Sequence, residues 1–87
     1  MITIELFGVP RLRAGTGRMT LQAATLETAL AELARVCPAL DGPVIEPGGG
    51  VHPAYRISLN GDRFVTDPAT PLSDGDALIL LAADVGG

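Results

Sequence analysis

The sequence contains no lysine and no tryptophan, and it has one cysteine, one tyrosine and two phenylalanines. Its six cationic residues are all arginine, so the chain offers no side-chain amine. A codon bias toward arginine is the simplest explanation of this pattern. The single Cys37 excludes an internal disulfide and a cysteine cluster for a metal, and it suits a reducing compartment. With so few aromatic residues, leucine, isoleucine and valine must fill the core.

The net charge of −4 provides no basic stripe that could meet phosphates, so nucleic-acid binding is not expected. The apolar run near the end, Ala77 to Ala83, is too short to cross a bilayer, and no membrane association is expected. His52 lies in a loop without partner ligands, and we therefore expect no metal site. Together with the lone cysteine, these features predict a cytoplasmic protein.

The first half of the chain predicts a hairpin followed by a helix. Residues 2–7 alternate apolar and polar side chains, as do residues 18–22, and glycines at 15 and 17 lie between the two strands. From Leu26 to Val36 the apolar spacing is helical, and Thr25 is a suitable N-cap. Pro38 ends that helix, because a proline cannot continue it.

The second half predicts a loop and three strands. Residues 41–53 are rich in proline and glycine, and the three glycines at 48–50 favour mobility over a rigid excursion. A strand at 56–60 leads into Asn60-Gly61, a strong signal for a type I′ hairpin turn. A short strand at 63–65 returns. The final strand, 77–83, is apolar on both faces and is therefore expected at the centre of the sheet.

This order predicts an α+β domain of the β-grasp type, with a mixed four- to five-stranded sheet and one main helix on one face. The whole chain, 1–87, is expected to be a single domain with a flexible C-terminal tail at 82–87. The face without a helix would expose Phe7, Ile79 and Leu81, an apolar patch typical of a partner surface. Alternatively, the segment 41–55 folds over that patch. The free chain is expected to be a monomer.

Three features of the sequence resemble the MoaD/ThiS family of sulfur carriers, which are relatives of ubiquitin. They are the opening strand Ile2 to Phe7, the hairpin Leu59-Asn60-Gly61, and the turn Pro71 to Asp76. The distance from that turn to the terminal Gly86-Gly87 is also typical of the family. The similarity extends over essentially the whole chain.

The resemblance implies a protein co-substrate rather than an enzyme. An adenylating enzyme similar to those that activate ubiquitin would use ATP to activate the carboxylate of Gly87. A sulfur donor would then convert it to a thiocarboxylate for an acceptor synthase, while Gly86 and Val85 help thread the tail. The resemblance also implies that Phe7, Ile79 and Leu81 contact these partners. No intrinsic cofactor or metal is implied.

The destination of the sulfur is left open by the sequence: molybdopterin, thiazole, cysteine, tRNA or a specialised metabolite. The chain departs from the family pattern at Arg63, where an apolar residue is frequent, and in the length of the 41–55 segment. Two other functions stay open. One is a β-grasp interaction module whose terminal glycines are never activated, and the other is a ubiquitin-like protein modifier.

Overall fold

The first and last strands lie side by side, in parallel, within a five-stranded sheet. The computed structural model describes residues 1–83, so the predictions for Val85, Gly86 and Gly87 lie outside the described residues. The sheet order is β2-β1-β5-β3-β4, and only the β1–β5 pair is parallel. The elements are β1 (Ile2–Leu6), α1 (Val9–Ala14), β2 (Arg18–Leu21), α2 (Leu26–Val36), a 3₁₀ turn (Pro38–Leu40), β3 (Tyr55–Leu59), β4 (Arg63–Phe64) and β5 (Ala77–Ala82).

The predicted fold class is confirmed: this is a β-grasp arrangement with α2 packed on one face of a mixed sheet. Side-chain alternation divides each central strand between two faces. In β5, Leu78 and Leu80 are each 2% exposed and contribute to the core, whereas Ile79 and Leu81 point the other way and are partly exposed. The helix contributes Leu26, Ala29, Leu30 and Leu33 to the same core.

The predicted bounds of α2 are confirmed at both ends. The Thr25 hydroxyl accepts a hydrogen bond from the Thr28 amide, and the Thr28 hydroxyl accepts one from the Thr25 amide. This reciprocal capping satisfies amides that have no partner within the helix. At the other end the helix stops before Cys37 and Pro38. Burial raises the pKa of the Cys37 thiol, which is the behaviour of a packing residue.

Helix α1 was not predicted. Residues 8–17 were expected to form a hairpin connection, yet six of them form a helix with Pro10 in its first turn. Proline is well placed there, because the first-turn amides have no intrahelical acceptor. Gly15, at φ 74°, closes the helix by donating its amide to the Arg11 carbonyl. Leu12 is 82% exposed, so α1 lacks the apolar stripe by which a helix is recognised in sequence.

The segment between the 3₁₀ turn and β3 is an ordered excursion on the helix side of the sheet. Val44 and Ile45 are buried in the core, and their amides donate to the Leu40 carbonyl. The His52 amide donates to the Val44 carbonyl, and Ile45 forms a bridge with Val51. The expectation of a mobile segment, drawn from its three glycines, did not account for these two buried anchors.

The β3–β4 hairpin has the predicted turn. Asn60 and Gly61 both have positive φ, at 57° and 73°, and the Asp62 amide donates to the Leu59 carbonyl. Positive φ at both central residues is the requirement of a type I′ turn. β4 pairs with β3 through Ser58–Phe64 and Leu59–Arg63.

Two of the motifs on which the family resemblance rests, the hairpin turn and the turn before β5, meet in space. The Asn60 side chain donates to the Asp76 carboxylate at 3.0 Å and accepts from the Ala77 amide at 2.8 Å. The same carboxylate accepts from the Ser73 amide at 2.8 Å, and the Asp76 carbonyl accepts from the Thr3 amide. We call this network the Asn60–Asp76 junction. It fixes the start of β5 against both the hairpin turn and β1.

No helix within residues 1–83 combines the length and apolarity needed to cross a bilayer.

The junction predicts different costs for two substitutions at Asn60. Asn60→Gly keeps the positive φ and loses the two side-chain hydrogen bonds, which should lower the free energy of unfolding by about 1–2 kcal/mol. Asn60→Ala loses the same two bonds and keeps a Cβ in the left-handed region, so it should be about 1 kcal/mol less stable than the glycine variant. Urea unfolding of the three proteins measures both terms. A glycine variant as stable as the parent would contradict the role of the side chain.

The junction also predicts sensitivity to acid. The Ser73 amide and the Asn60 side chain lower the pKa of Asp76, so the folded state favours the charged carboxylate. Its stabilisation is present above the unfolded pKa of about 3.9 and is lost as pH falls through the lower folded value. Asp76→Asn should therefore be less stable than the parent at pH 7, with the difference shrinking below about pH 4. A difference that is constant from pH 7 to pH 2.5 would contradict this assignment.

Candidate docking face

The uncovered side of the sheet, which we call the open face, is defined by the strand registers. One row across the sheet consists of Arg18, Glu5, Ile79, Ser58 and Phe64. In the next row Leu81 lies directly opposite Arg56. Phe7 follows β1 with the same alternation, and its amide donates to the Leu80 carbonyl at 3.1 Å, which continues the parallel ladder.

The structure places the three predicted interface residues together on the open face. Phe7 is 46% exposed, and Ile79 and Leu81 are partly exposed. The alternative, in which the segment 41–55 covers this face, does not occur, because Val44 and Ile45 pack into the core on the helix side. The patch is therefore accessible from solvent.

Phe64 and Arg56 extend this patch, and the sequence analysis missed both. Phe64 is 55% exposed, and the guanidinium carbon of Arg56 lies 5.1 Å from the centroid of its ring. This is the geometry of a cation–π contact, which holds both side chains in place. Arg56 and Phe64 are not directly opposite each other but are diagonal neighbours across the hairpin. That they share a face can be deduced only when the register that pairs Ser58 with Phe64 is known.

Near Phe7 the open face carries charge of both signs. Glu5, Arg11 and Arg18 surround a shallow depression of about 400 Å³ that also includes Thr16. Within 1–83, the ion pairs formed by side chains are Glu32–Arg35 on α2 and Asp74 with the Met1 ammonium, so Arg18 and Glu5 face each other without a direct ion pair.

A larger cavity of about 520 Å³ lies beside β3, on the helix side of the sheet. Leu26 and Leu30 of α2 line it together with Val51, Ile57 and Val65, while Arg56 and Phe64 form its rim toward the open face. It is mainly apolar and contains no acid–base or nucleophilic pair.

The base of the predicted tail is held by the sheet. Ala82 pairs with Tyr55, and the Ala83 amide donates to the Ala54 carbonyl at 2.8 Å. The tail was predicted to begin at residue 82, but Ala82 is the last residue of β5 and Ala83 is hydrogen-bonded to Ala54. The residues expected to carry the chemistry, Gly87, Gly86 and Val85, lie beyond the described part of the chain.

The described residues carry an exposed apolar patch on the open face and no candidate metal site. Within 1–83, histidine, cysteine and acidic side chains form no cluster of three that could hold a metal ion. His52 accepts a hydrogen bond at Nδ1 from the Ala54 amide and lies edge-on to the Tyr55 ring, so its contacts are local to the loop.

The sequence matches no protein-family model and no curated protein. Solved structures do match the fold. SAMP1 from Haloferax volcanii is 25% identical with a TM-score of 0.83, over 99% of this chain and 98% of that one. A putative molybdopterin converting factor, subunit 1, from Pyrococcus furiosus is 20% identical with a TM-score of 0.76, over 93% and 94%. A chain of the Amycolatopsis orientalis BexX/CysO complex is 19% identical with a TM-score of 0.81, over 100% of both chains.

SAMP1 is a small archaeal modifier protein, and the other two structures share its fold, so the resemblance to ubiquitin-like β-grasp proteins that was predicted from the sequence is confirmed. The similarity covers nearly the full length of each chain, which means that the five strands and α2 are all part of the shared fold.

Adjacent leucines in β5 should respond differently to truncation. Leu80→Ala removes a side chain that is 2% exposed and should lower the free energy of unfolding by about 2–5 kcal/mol. Leu81→Ala removes a partly exposed side chain on the open face and should cost about 1 kcal/mol or less. Thermal and urea unfolding measure both. Equal losses would contradict the assignment of Leu81 to a docking face rather than to the core.

Proposed function

We propose that this protein is a sulfur carrier whose Gly87 carboxylate is adenylated by a partner enzyme and converted to a thiocarboxylate. The observation that supports this most is the position of β5. It is an interior strand that leads directly to the Gly-Gly terminus and presents Leu81 on an open apolar face just before the tail. The likeness to SAMP1 and to a CysO complex over nearly the whole chain supports the same class.

The chemistry requires activation because a carboxylate is a poor electrophile. In the proposed sequence, a carboxylate oxygen of Gly87 attacks the α-phosphorus of ATP and pyrophosphate leaves. A sulfur atom, delivered by a donor at the oxidation level of sulfide, then attacks the acyl carbon. The C–S bond forms, the C–O bond to AMP breaks, and a thiocarboxylate remains. The chain supplies the acyl group and the docking surface, while the partner enzyme supplies ATP binding and catalysis.

The sheet limits how far the terminus can reach. Because Ala83 is hydrogen-bonded to Ala54, only residues 84–87 follow the anchored backbone. Four extended residues span at most about 14 Å. The activating site must therefore lie close to the surface that the body of the protein contacts. The open face meets this condition, since Leu81 is two residues from the end of the anchored segment. Phe7, Ile79 and Leu81 are the contacts that we propose for activator and acceptor, with Gly86 and Val85 entering the active site.

The partners are an adenylating enzyme related to those that activate ubiquitin, a sulfur donor, and an acceptor synthase in cofactor or metabolite biosynthesis. The neighbours include a putative molybdopterin converting factor subunit and a CysO in complex with BexX, which supports an acceptor of this general kind. A cytoplasmic location fits the use of ATP and a single reduced cysteine.

Conjugation to other proteins is the second candidate, favoured by the similarity to a small archaeal modifier protein. It needs the same activated end, with a lysine amine of a target replacing sulfur as the nucleophile. Because this chain has no lysine, its own side chains cannot serve as acceptors, and branched chains of the protein would not form.

Incubation with an adenylating enzyme of this class, ATP and sulfide should increase the intact mass by the replacement of one oxygen with sulfur. Removal of Gly87 should abolish both this change and ATP–pyrophosphate exchange, because the carboxylate of the shortened chain falls about one residue short of the α-phosphorus of ATP. Arg35→Gln, on the far side of α2, is the matched control and should react normally. If the chain is a β-grasp module that is never activated, the parent mass stays unchanged and the truncated form keeps full cellular function.

A further inference from the structure

The open face carries arginine at both ends, although the chain as a whole has a net charge of −4. Arg18 on β2 and Arg56 on β3 flank the apolar centre, and Glu5 is the one carboxylate on this face within the described residues. The other carboxylates of residues 1–83 lie on α2, in the segment 41–46, and in the turns between residues 62 and 76. Glu5 aside, the charged side chains in the rows of the open face are therefore arginines.

The Arg56 side chain is positioned by an aromatic contact and is exposed to an external partner. Its guanidinium lies over Phe64, and no carboxylate of residues 1–83 forms an ion pair with it or with Arg18. A guanidinium on an aromatic face keeps its N–H donors directed outward in a planar fork, which suits a carboxylate. Arg56 and Phe64 are both exposed, and because their contact already restrains them, a partner needs to order them little further when it binds.

The composition of the face is that of a protein interface. Arginine and aromatic residues are enriched at such interfaces and among the residues that dominate their binding energy. Here Phe64, Ile79 and Leu81 provide the apolar centre beside Arg56. A nucleic-acid groove would instead require a continuous basic stripe, whereas apolar side chains and Glu5 separate Arg18 from Arg56.

We propose that the open face docks a protein surface on which an apolar projection is flanked by carboxylates, with Arg56 and Arg18 as the electrostatic contacts. This deepens the proposed function by naming the chemistry of the partner at the same face. The apolar centre supplies affinity through burial. The arginines set orientation and increase the association rate, which is the usual contribution of complementary charge.

Two synthetic peptides with the same apolar centre test the proposal by ¹⁵N NMR titration of the intact chain. One carries Leu-Phe between pairs of glutamates, and the other carries Leu-Phe between pairs of lysines. The acidic peptide should shift the amides of Phe64, Ile79 and Leu81, and its binding should weaken as salt is raised. Arg56→Gln should weaken it roughly two- to fivefold, as expected for one exposed ion pair. Arg35→Gln, the matched control on α2, should leave it unchanged.

Three results would overturn the proposal. The first is that the lysine peptide binds the open face more strongly than the acidic peptide does. The second is that neither peptide shifts amides of the open face. The third is that the Arg56→Gln variant binds the acidic peptide as tightly as the parent does. A short single-stranded oligonucleotide serves as a further arm, and stronger open-face shifts with it would favour nucleic acid instead. Removal of Gly87 should not affect peptide binding although it abolishes thiocarboxylate formation, so failure of this proposal and failure of the carrier function give different results.

Discussion

The parallel pairing of β1 with β5 is the constraint on which the other features depend. It places the final strand between β1 and β3, so that β5 needs apolar residues on both faces. Parallel strands also end at the same side of a sheet. Phe7, which follows β1, therefore lies beside the end of β5. Under the proposed function, a partner that contacts Phe7 and Leu81 would lie close to Ala83, the last described residue of the chain.

β5 is fixed by hydrogen bonds to neighbouring elements at both of its ends. At its start, the Asn60–Asp76 junction ties the strand to the hairpin turn and to β1. At its finish, Ala83 is tied to Ala54. A partner that pulled on the terminus would work against the central strand of the sheet, which is among the costliest elements to detach.

Local signals in the sequence account for much of this fold. Thr25 and Pro38 mark both ends of α2, and Asn60-Gly61 marks the hairpin, because each acts through its own backbone geometry. Helix α1 escaped prediction since a short helix with Pro10 in its first turn and an exposed Leu12 has no apolar period. The segment after Leu40 is ordered by tertiary burial of Val44 and Ile45, which no local pattern reveals. The Arg56–Phe64 contact depends on strand register, which also lies outside local sequence.

The position of Arg56 gives the absence of lysine a physical consequence. Arg56 lies opposite Leu81, two residues before the end of the anchored backbone. Under the proposed function, a lysine there would add a nucleophilic amine to the molecule that carries the activated acyl group, and intramolecular attack would compete with transfer. Arginine carries the same charge without a primary amine, and it stacks on Phe64. The docking charge is thereby supplied without a competing acceptor. A carrier with an activated terminus and a cationic docking face benefits from arginine at this position whatever bias shaped the rest of its composition.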